Sequence, residues 1–80
     1  MIEQLAKAIT SGNQNELLKW GVQVQRWKEE TEAKLEKQFN WLDPVNMSNP
    51  KYEQRFIDWT QNREEYMRAC RLLDEAKGML

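Results

Sequence analysis

The chain of 80 residues has no histidine, a single cysteine, three glycines and two prolines. Without histidine it lacks the usual acid–base side chain and the nitrogen ligand of most zinc sites, and one cysteine cannot form an internal disulfide. A domain of this size gains only about 3–5 kcal/mol from a single core. We therefore expect self-association or a partner to supply further burial.

An excess of charge of either sign is also missing, because 12 basic and 13 acidic residues leave a formal net charge of −1. A protein that mainly neutralises duplex phosphates is strongly basic, so this class is disfavoured, as is an acidic nucleic-acid mimic. No segment approaches the roughly 20 apolar residues of a transmembrane helix. The first residues include Glu3 and no apolar run of a signal peptide, which together with the lone cysteine predicts a cytoplasmic protein.

Motifs for catalysis, cofactor binding and metal binding are absent as well. The sequence has no Ser–His or Cys–His pair, no glycine-rich phosphate loop and no cysteine cluster. Glu29, Glu32 and Glu36 follow helical spacing, but no histidine accompanies them, which excludes a di-metal site built from Glu-x-x-His motifs. Cys70 lies on an apolar stripe, so we interpret it as a small buried hydrophobic residue. We expect a protein that is not an enzyme and needs no cofactor or metal.

What the sequence does contain is two apolar stripes, one on each side of residues 43–49. With 40% hydrophobic residues, including four tryptophans, the chain has enough apolar material to fold. Each stripe has helical spacing, and facing residues have numbers that add to about 94 when the chain is folded between them. The stripes are Leu17, Trp20, Val24, Trp27, Thr31, Leu35, Phe39 and Leu42, and Tyr52, Phe56, Trp59, Arg63, Tyr66, Cys70, Leu73 and Lys77. They predict a long antiparallel helical hairpin.

Capping and turn residues set the predicted bounds within a single domain of residues 1–80. Gly12 ends a short first helix, and Asn13, or alternatively Asn15, caps the second. Pro44 stops the second helix, and Pro50 is suited to the first position of the third. In order, the predicted elements are a helix over 2–10, a helix over 13–42, a loop over 43–49 and a helix over 50–77. The predicted fold is all-α, a small three-helix bundle that we expect to pair into a larger helical bundle.

The first helix is too short to cover the whole hairpin, so we expect it to pack beside the open end, away from the loop. The residues near it would be Leu17, Leu18, Val22, Leu72, Leu73 and Ala76. Gly21 lies in the interior of the second helix, where glycine costs about 1 kcal/mol relative to alanine. It favours a bend or close packing against the first helix.

The closed end of the hairpin, next to the loop, is only two helices thick in this arrangement. It is nevertheless rich in large apolar residues, and Trp41 and Ile57 lie off the paired stripe. Either the loop folds back over this surface, or the surface is exposed and serves dimerisation or partner binding, for which tryptophan is a frequent contact residue. The candidate partner-binding residues are Trp41, Ile57, Met47 and Trp59.

Arginines on the third helix form a second candidate site. Arg63 lies opposite Thr31 in the one polar layer of the hairpin, where its guanidinium can extend to the surface, set the register or bind an anion. Arg68 and Arg71 share one face, but interleaved acidic residues favour a solvated charged surface there. The possible anion-binding residues are Arg63, Arg68 and Arg71.

Two function classes follow. The first is a small, cytoplasmic, non-enzymatic module that forms homodimers and binds another protein stoichiometrically. An accessory inhibitor or adaptor is a typical role for such a hairpin, as in those carried by phages and other mobile elements, although fold does not fix function. The alternative is a module that holds a nucleotide or single-stranded nucleic acid at an oligomer interface through arginines and aromatics. The near-neutral net charge makes this alternative the weaker one.

Overall fold

A computed structural model describes residues 1–80 and consists of three helices without any β-strand. The helices are α1 (Ile2–Ser11), α2 (Gln14–Trp41) and α3 (Tyr52–Met79), and a short 3-10 helix (Pro44–Asn46) lies between α2 and α3. This confirms the predicted all-α, three-helix fold. Each helix begins and ends within two residues of its predicted bounds.

The junction between α1 and α2 follows from two residues. Gly12 has φ 68°, in the left-handed region, and its N–H donates to the carbonyl oxygens of Ala8 and Ile9. The side chain of Asn13 then accepts a hydrogen bond from the backbone N–H of Glu16 at 3.2 Å. Together they close one helix and start the next within a single turn.

The loop at the closed end is held by polar contacts. Asn46 Nδ2 donates to the carbonyl oxygen of Trp41 at 2.6 Å, and the hydroxyl of Tyr52 donates to the carbonyl oxygen of Leu42 at 2.9 Å. The side chain of Asn49 accepts from the N–H of Lys51 at 2.9 Å, which keeps residues 49–51 in a turn. Helix α3 therefore begins at Tyr52 and not at residue 50 as predicted.

The core lies at the open end of the hairpin, where all three helices meet. Its eight buried residues are Ile2, Leu5 and Ala8 of α1, Leu17 and Val24 of α2, and Ala69, Leu73 and Ala76 of α3. Helix α1 thus packs beside the open end, as predicted. Leu18 and Val22 are an exception, because they lie about 100° around α2 from Leu17 and Gly21 and remain 55% and 58% exposed.

The observed contacts across the hairpin differ from the predicted pairing, because the contacting residues of α3 lie farther from the loop than predicted. The ring of Phe39 lies 5.6 Å from that of Trp59, one turn beyond its predicted partner Phe56. Arg63 does not form a polar layer with buried Thr31. Instead it is exposed, with its guanidinium 5.9 Å from the ring of Trp59. The predicted pairing differs from the observed one because it followed the large residues of α3. The residues of α3 that face the core are mostly small and give a weak hydrophobic signal.

The molecule is a rod of 50 × 17 × 16 Å. None of its helices combines the length and hydrophobicity that a transmembrane segment requires. Because α1 covers only one side of one end, most of the surface of α2 and α3 is accessible, and ten of the 80 residues are buried.

Candidate protein-binding surface

Three aromatic side chains form a cluster at the closed end, which we call the closed-end aromatic cluster: Phe39, Phe56 and Trp59. Phe56 and Trp59 are three residues apart on α3 and so share a face, and their rings lie 6.0 Å apart with a tilt of 46°. Phe39 reaches the cluster from α2. Phe39 is 61% exposed and Phe56 is 49% exposed, whereas Trp59 is half-buried. The loop does not cover these rings.

The cluster differs in part from the predicted partner-binding set. Trp59 belongs to it, and Met47 is exposed on the loop at the same end. Ile57 is exposed too, but it follows Phe56 directly and therefore points to another face of α3. The sequence predicts that Phe39 and Phe56 belong to the buried stripe. Their location at the end that is only two helices thick is the sequence feature that indicates their exposure.

Trp41 is less available than the sequence indicated. Its ring lies 5.9 Å from that of Tyr52, and the guanidinium of Arg55 lies 4.2 Å from the ring of Trp41. Trp41 is half-buried between these neighbours. Because Tyr52 and the carbonyl of Trp41 also hold the loop, this group fixes the hairpin connection.

A second apolar surface lies at the open end, on the side of the hairpin that α1 leaves free. It is a groove of about 390 Å³ between α2 and α3. The apolar residues and glycine that line this open-end groove are Leu17, Leu18, Gly21, Val22, Leu73, Ala76 and Leu80. Charged side chains at its edge are Arg26, Glu29 and Lys77. Leu18 and Val22 were predicted to lie under α1, so this groove was not predicted from the sequence.

One of the two predicted roles of Gly21 was close packing against α1, and the structure shows no such packing. A Cβ atom built at this position would meet nothing within 4 Å beyond its chain neighbours and the backbone of its own helix. Its φ is not positive, since Gly12 is the one residue with positive φ. Neither the backbone conformation nor internal packing of the chain therefore requires glycine at position 21.

The predicted anion-binding arginines do not form one site. Arg68 binds the carboxylate of Glu3 and thereby joins α3 to α1. This contact lowers the pKa of the Glu3 carboxyl and raises the pKa of Arg68. Arg68 and Arg71 line a shallow depression together with two acidic residues, Glu64 and Glu65, whereas Arg63 lies beside Trp59.

Two further polar side chains connect the middle of the hairpin. The hydroxyl of Tyr66 donates to Glu32 Oε1 at 2.6 Å, and this hydrogen bond to a carboxylate raises the pKa of Tyr66. Cys70 is a free thiol and is half-buried, so it is more accessible than the predicted core position. The carboxylates and the thiol form no group of three that could hold a metal ion.

No known protein family matches the chain, and neither a curated protein nor a solved structure is significantly similar to it. Its function is therefore inferred from its own two apolar surfaces and its charged side chains.

Proposed function

We propose that the protein is a small, non-enzymatic interaction module that binds another protein through the closed-end aromatic cluster. The observation that carries this proposal is the exposure of Phe39 and Phe56, 61% and 49%, on a part of the fold that has almost no core. Large exposed aromatics on a helical surface are typical of protein-binding sites.

The geometry of the cluster suits such a contact. Burial of apolar surface contributes roughly 25 cal/mol per Å², so covering two phenylalanine rings contributes several kcal/mol to binding. Both rings project from regular helices, which limits the ordering cost on association. Arg63, beside Trp59, lies at the edge of the cluster and can pair with a carboxylate of the partner.

The biological role that we propose is that of an accessory inhibitor or adaptor, which acts by occupying a surface of its partner in a one-to-one ratio. We also propose a cytoplasmic location, which the single, half-buried free Cys70 supports because disulfides are rare in that compartment.

The alternative function, binding of a nucleotide or single-stranded nucleic acid, has one supporting observation. Two arginines lie beside tryptophan rings, Arg55 at 4.2 Å from Trp41 and Arg63 at 5.9 Å from Trp59, and such pairs can contact bases and phosphates. The ion pair of Arg68 with Glu3 and the acidic residues around Arg71 weigh against it.

The test is affinity capture with three forms of the tagged protein as bait. These are the wild type, a double variant Phe39→Ser/Phe56→Ser, and the control variant Met67→Ser. Met67 is as exposed as Phe56 and lies on the same helix, outside the cluster. A protein retained by the wild type and the control, but lost with the double variant, supports the proposal. Circular dichroism checks that all three are equally helical.

Retention of the same proteins by all three baits would contradict the proposal. The alternative is tested by the absorbance of the purified protein at 260 nm, which reports bound nucleotide or nucleic acid. The amount bound should fall as the salt concentration rises. Nucleic acid that co-purifies with the wild type and is lost with Arg63→Ala would favour the alternative.

A further inference from the structure

The amount of exposed surface is the first observation that points beyond a single chain. The protein exposes 5847 Å², whereas a compact monomer of its mass, 9.6 kDa, exposes about 5,100 Å². The excess is about 750 Å². A standard interface between two proteins removes about 800 Å² from each partner. One self-association interface would therefore lower the exposed area of each chain to about that of a compact monomer of its mass.

The second observation is the location of the exposed apolar residues at the open end. Leu18, Val22 and Leu80 are all exposed and border the same groove. The groove belongs to the well-packed, three-helix part of the fold, so its shape is supported from behind by Leu17 and Leu73. It is a rigid apolar surface that nothing in the chain covers.

Gly21 is the third observation. Glycine in the interior of a helix is less favourable than alanine, and the chain itself has no need of it at position 21. The bare backbone of Gly21 lies beside the row formed by the projecting side chains of Leu18 and Val22, so a hollow adjoins two knobs. Such a surface is complementary to itself, since the knobs of one copy fit beside the hollow of another.

We propose that two copies of the chain pair through their open-end grooves, with their α2 helices crossing near Gly21 around a two-fold axis. The two α2 helices run antiparallel in this pair. A parallel pair would place Arg26 next to Arg26 and Glu29 next to Glu29 of the second copy, with repulsion at both positions. The antiparallel pair separates these like charges.

The pairing has a geometric consequence for the proposed partner site, although it does not depend on that site. Phe39 lies 18 residues beyond Gly21 on α2, which corresponds to about 27 Å along the helix axis. An antiparallel dimer centred on Gly21 therefore carries its two closed-end aromatic clusters at opposite ends, about 54 Å apart. A dimer of this form presents two separate partner sites.

Sedimentation equilibrium of the purified protein tests the pairing without any partner. We expect a mass of about twice 9.6 kDa, falling to the monomer on dilution. Val22→Lys should raise the dissociation constant of the dimer by about tenfold or more, whereas the control Met67→Lys, an exposed apolar residue outside the groove, should leave it nearly unchanged. A wild-type monomer at millimolar concentration, or equal effects of the two changes, would overturn the proposal.

Gly21→Ala tests whether glycine at this position allows the two α2 helices to cross closely in the dimer or serves only the structure of the monomer. The change should increase the thermal stability of the monomer, because alanine is the better helix former, and should raise the dissociation constant of the dimer by about tenfold or more. A more stable variant that dimerises as well as the wild type would overturn a crossing at Gly21. Circular dichroism at concentrations below the dissociation constant reports the monomer alone.

The orientation is tested by the distance between spin labels at position 45, introduced as Val45→Cys in a Cys70→Ala background. The antiparallel dimer predicts a separation of about 60 Å or more, from the helix rise between position 21 and the end of α2 at Trp41, just before the labelled loop. A separation below about 30 Å would overturn the antiparallel arrangement. Because these experiments use the protein alone, their failure and the failure of the proposed partner binding are distinguishable.

Discussion

The open and closed ends of the hairpin are held together in different ways. At the open end, three helices bury eight apolar residues in one cluster. At the closed end, Leu42 is the one buried residue between positions 32 and 68, and hydrogen bonds from Asn46 and Tyr52 fix the connection. Hydrophobic burial therefore stabilises one end, while polar contacts shape the other.

This difference shows how a chain of 80 residues can combine a stable fold with an exposed apolar surface. Because the core is concentrated where α1 packs, Phe39 and Phe56 are not needed to hold the helices together there. Their exposure costs the fold little and leaves both rings free for a partner. The predictions below test this division, starting with the largest expected effect.

The largest expected difference between the two ends is the loss of stability caused by Leu5→Ala compared with Phe39→Ala. Leu5 is fully buried, so its truncation should lower the free energy of unfolding by about 2–5 kcal/mol, most of the stability of a domain of this size. Phe39→Ala removes an exposed ring with one aromatic neighbour and should cost about 1 kcal/mol. Urea unfolding of both variants measures the difference. Equal losses would mean that the closed end contributes as much to stability as the core.

Tyr52→Phe tests the polar connection of the closed end. The change removes the hydroxyl that donates to the carbonyl oxygen of Leu42 and should lower the free energy of unfolding by about 0.5–1.5 kcal/mol. Tyr66→Phe is the matched control, because the exposed carboxylate of Glu32 can bind water once its partner is lost. Urea unfolding should show the larger loss for Tyr52→Phe, and the reverse order would contradict the role given to the loop contacts.

Glu3→Gln tests the ion pair between α1 and α3 and should have the smallest effect, since both side chains are exposed. Arg68 lowers the pKa of Glu3 in the folded protein below its ordinary value of 4.5. The stabilisation is therefore complete above that value and is lost as the pH falls through the folded pKa. The variant should be slightly less stable than the wild type at pH 7, and this difference should shrink as the pH falls below 4.5. A difference that stays constant as the pH is lowered through the acid range would show that the pair is not its cause.

The fold class and helix bounds were predictable because their signals are local. The helical spacing of the apolar residues and the caps at Gly12 and Asn13 act within one or two turns. The inner face of α3 was harder to predict, because Ala69 and Ala76 are small and give a weaker signal than Phe56 or Arg63.

The two apolar surfaces were predictable only in part, for reasons of three-dimensional packing. The sequence indicated a two-helix closed end rich in aromatics, but the cover of Trp41 by Arg55 depends on a contact across the hairpin. The open-end groove was missed because periodicity shows that Leu18 and Val22 are apolar, and does not show on which side of the hairpin α1 packs. Gly21 weakens α2 by its helix propensity alone, whereas its position in the groove depends on the three-dimensional packing.

Amide hydrogen exchange along α2 tests the difference between the two ends most directly, because one helix runs through both. The account predicts that amides near Val24 exchange only when the whole domain unfolds, while those near Phe39 exchange through local opening at a rate at least about tenfold higher after correction for intrinsic rates. The gradient should be present in the wild type without any partner. Uniform protection from Leu17 to Phe39 would contradict the account, since it would show that both ends unfold as one cooperative unit.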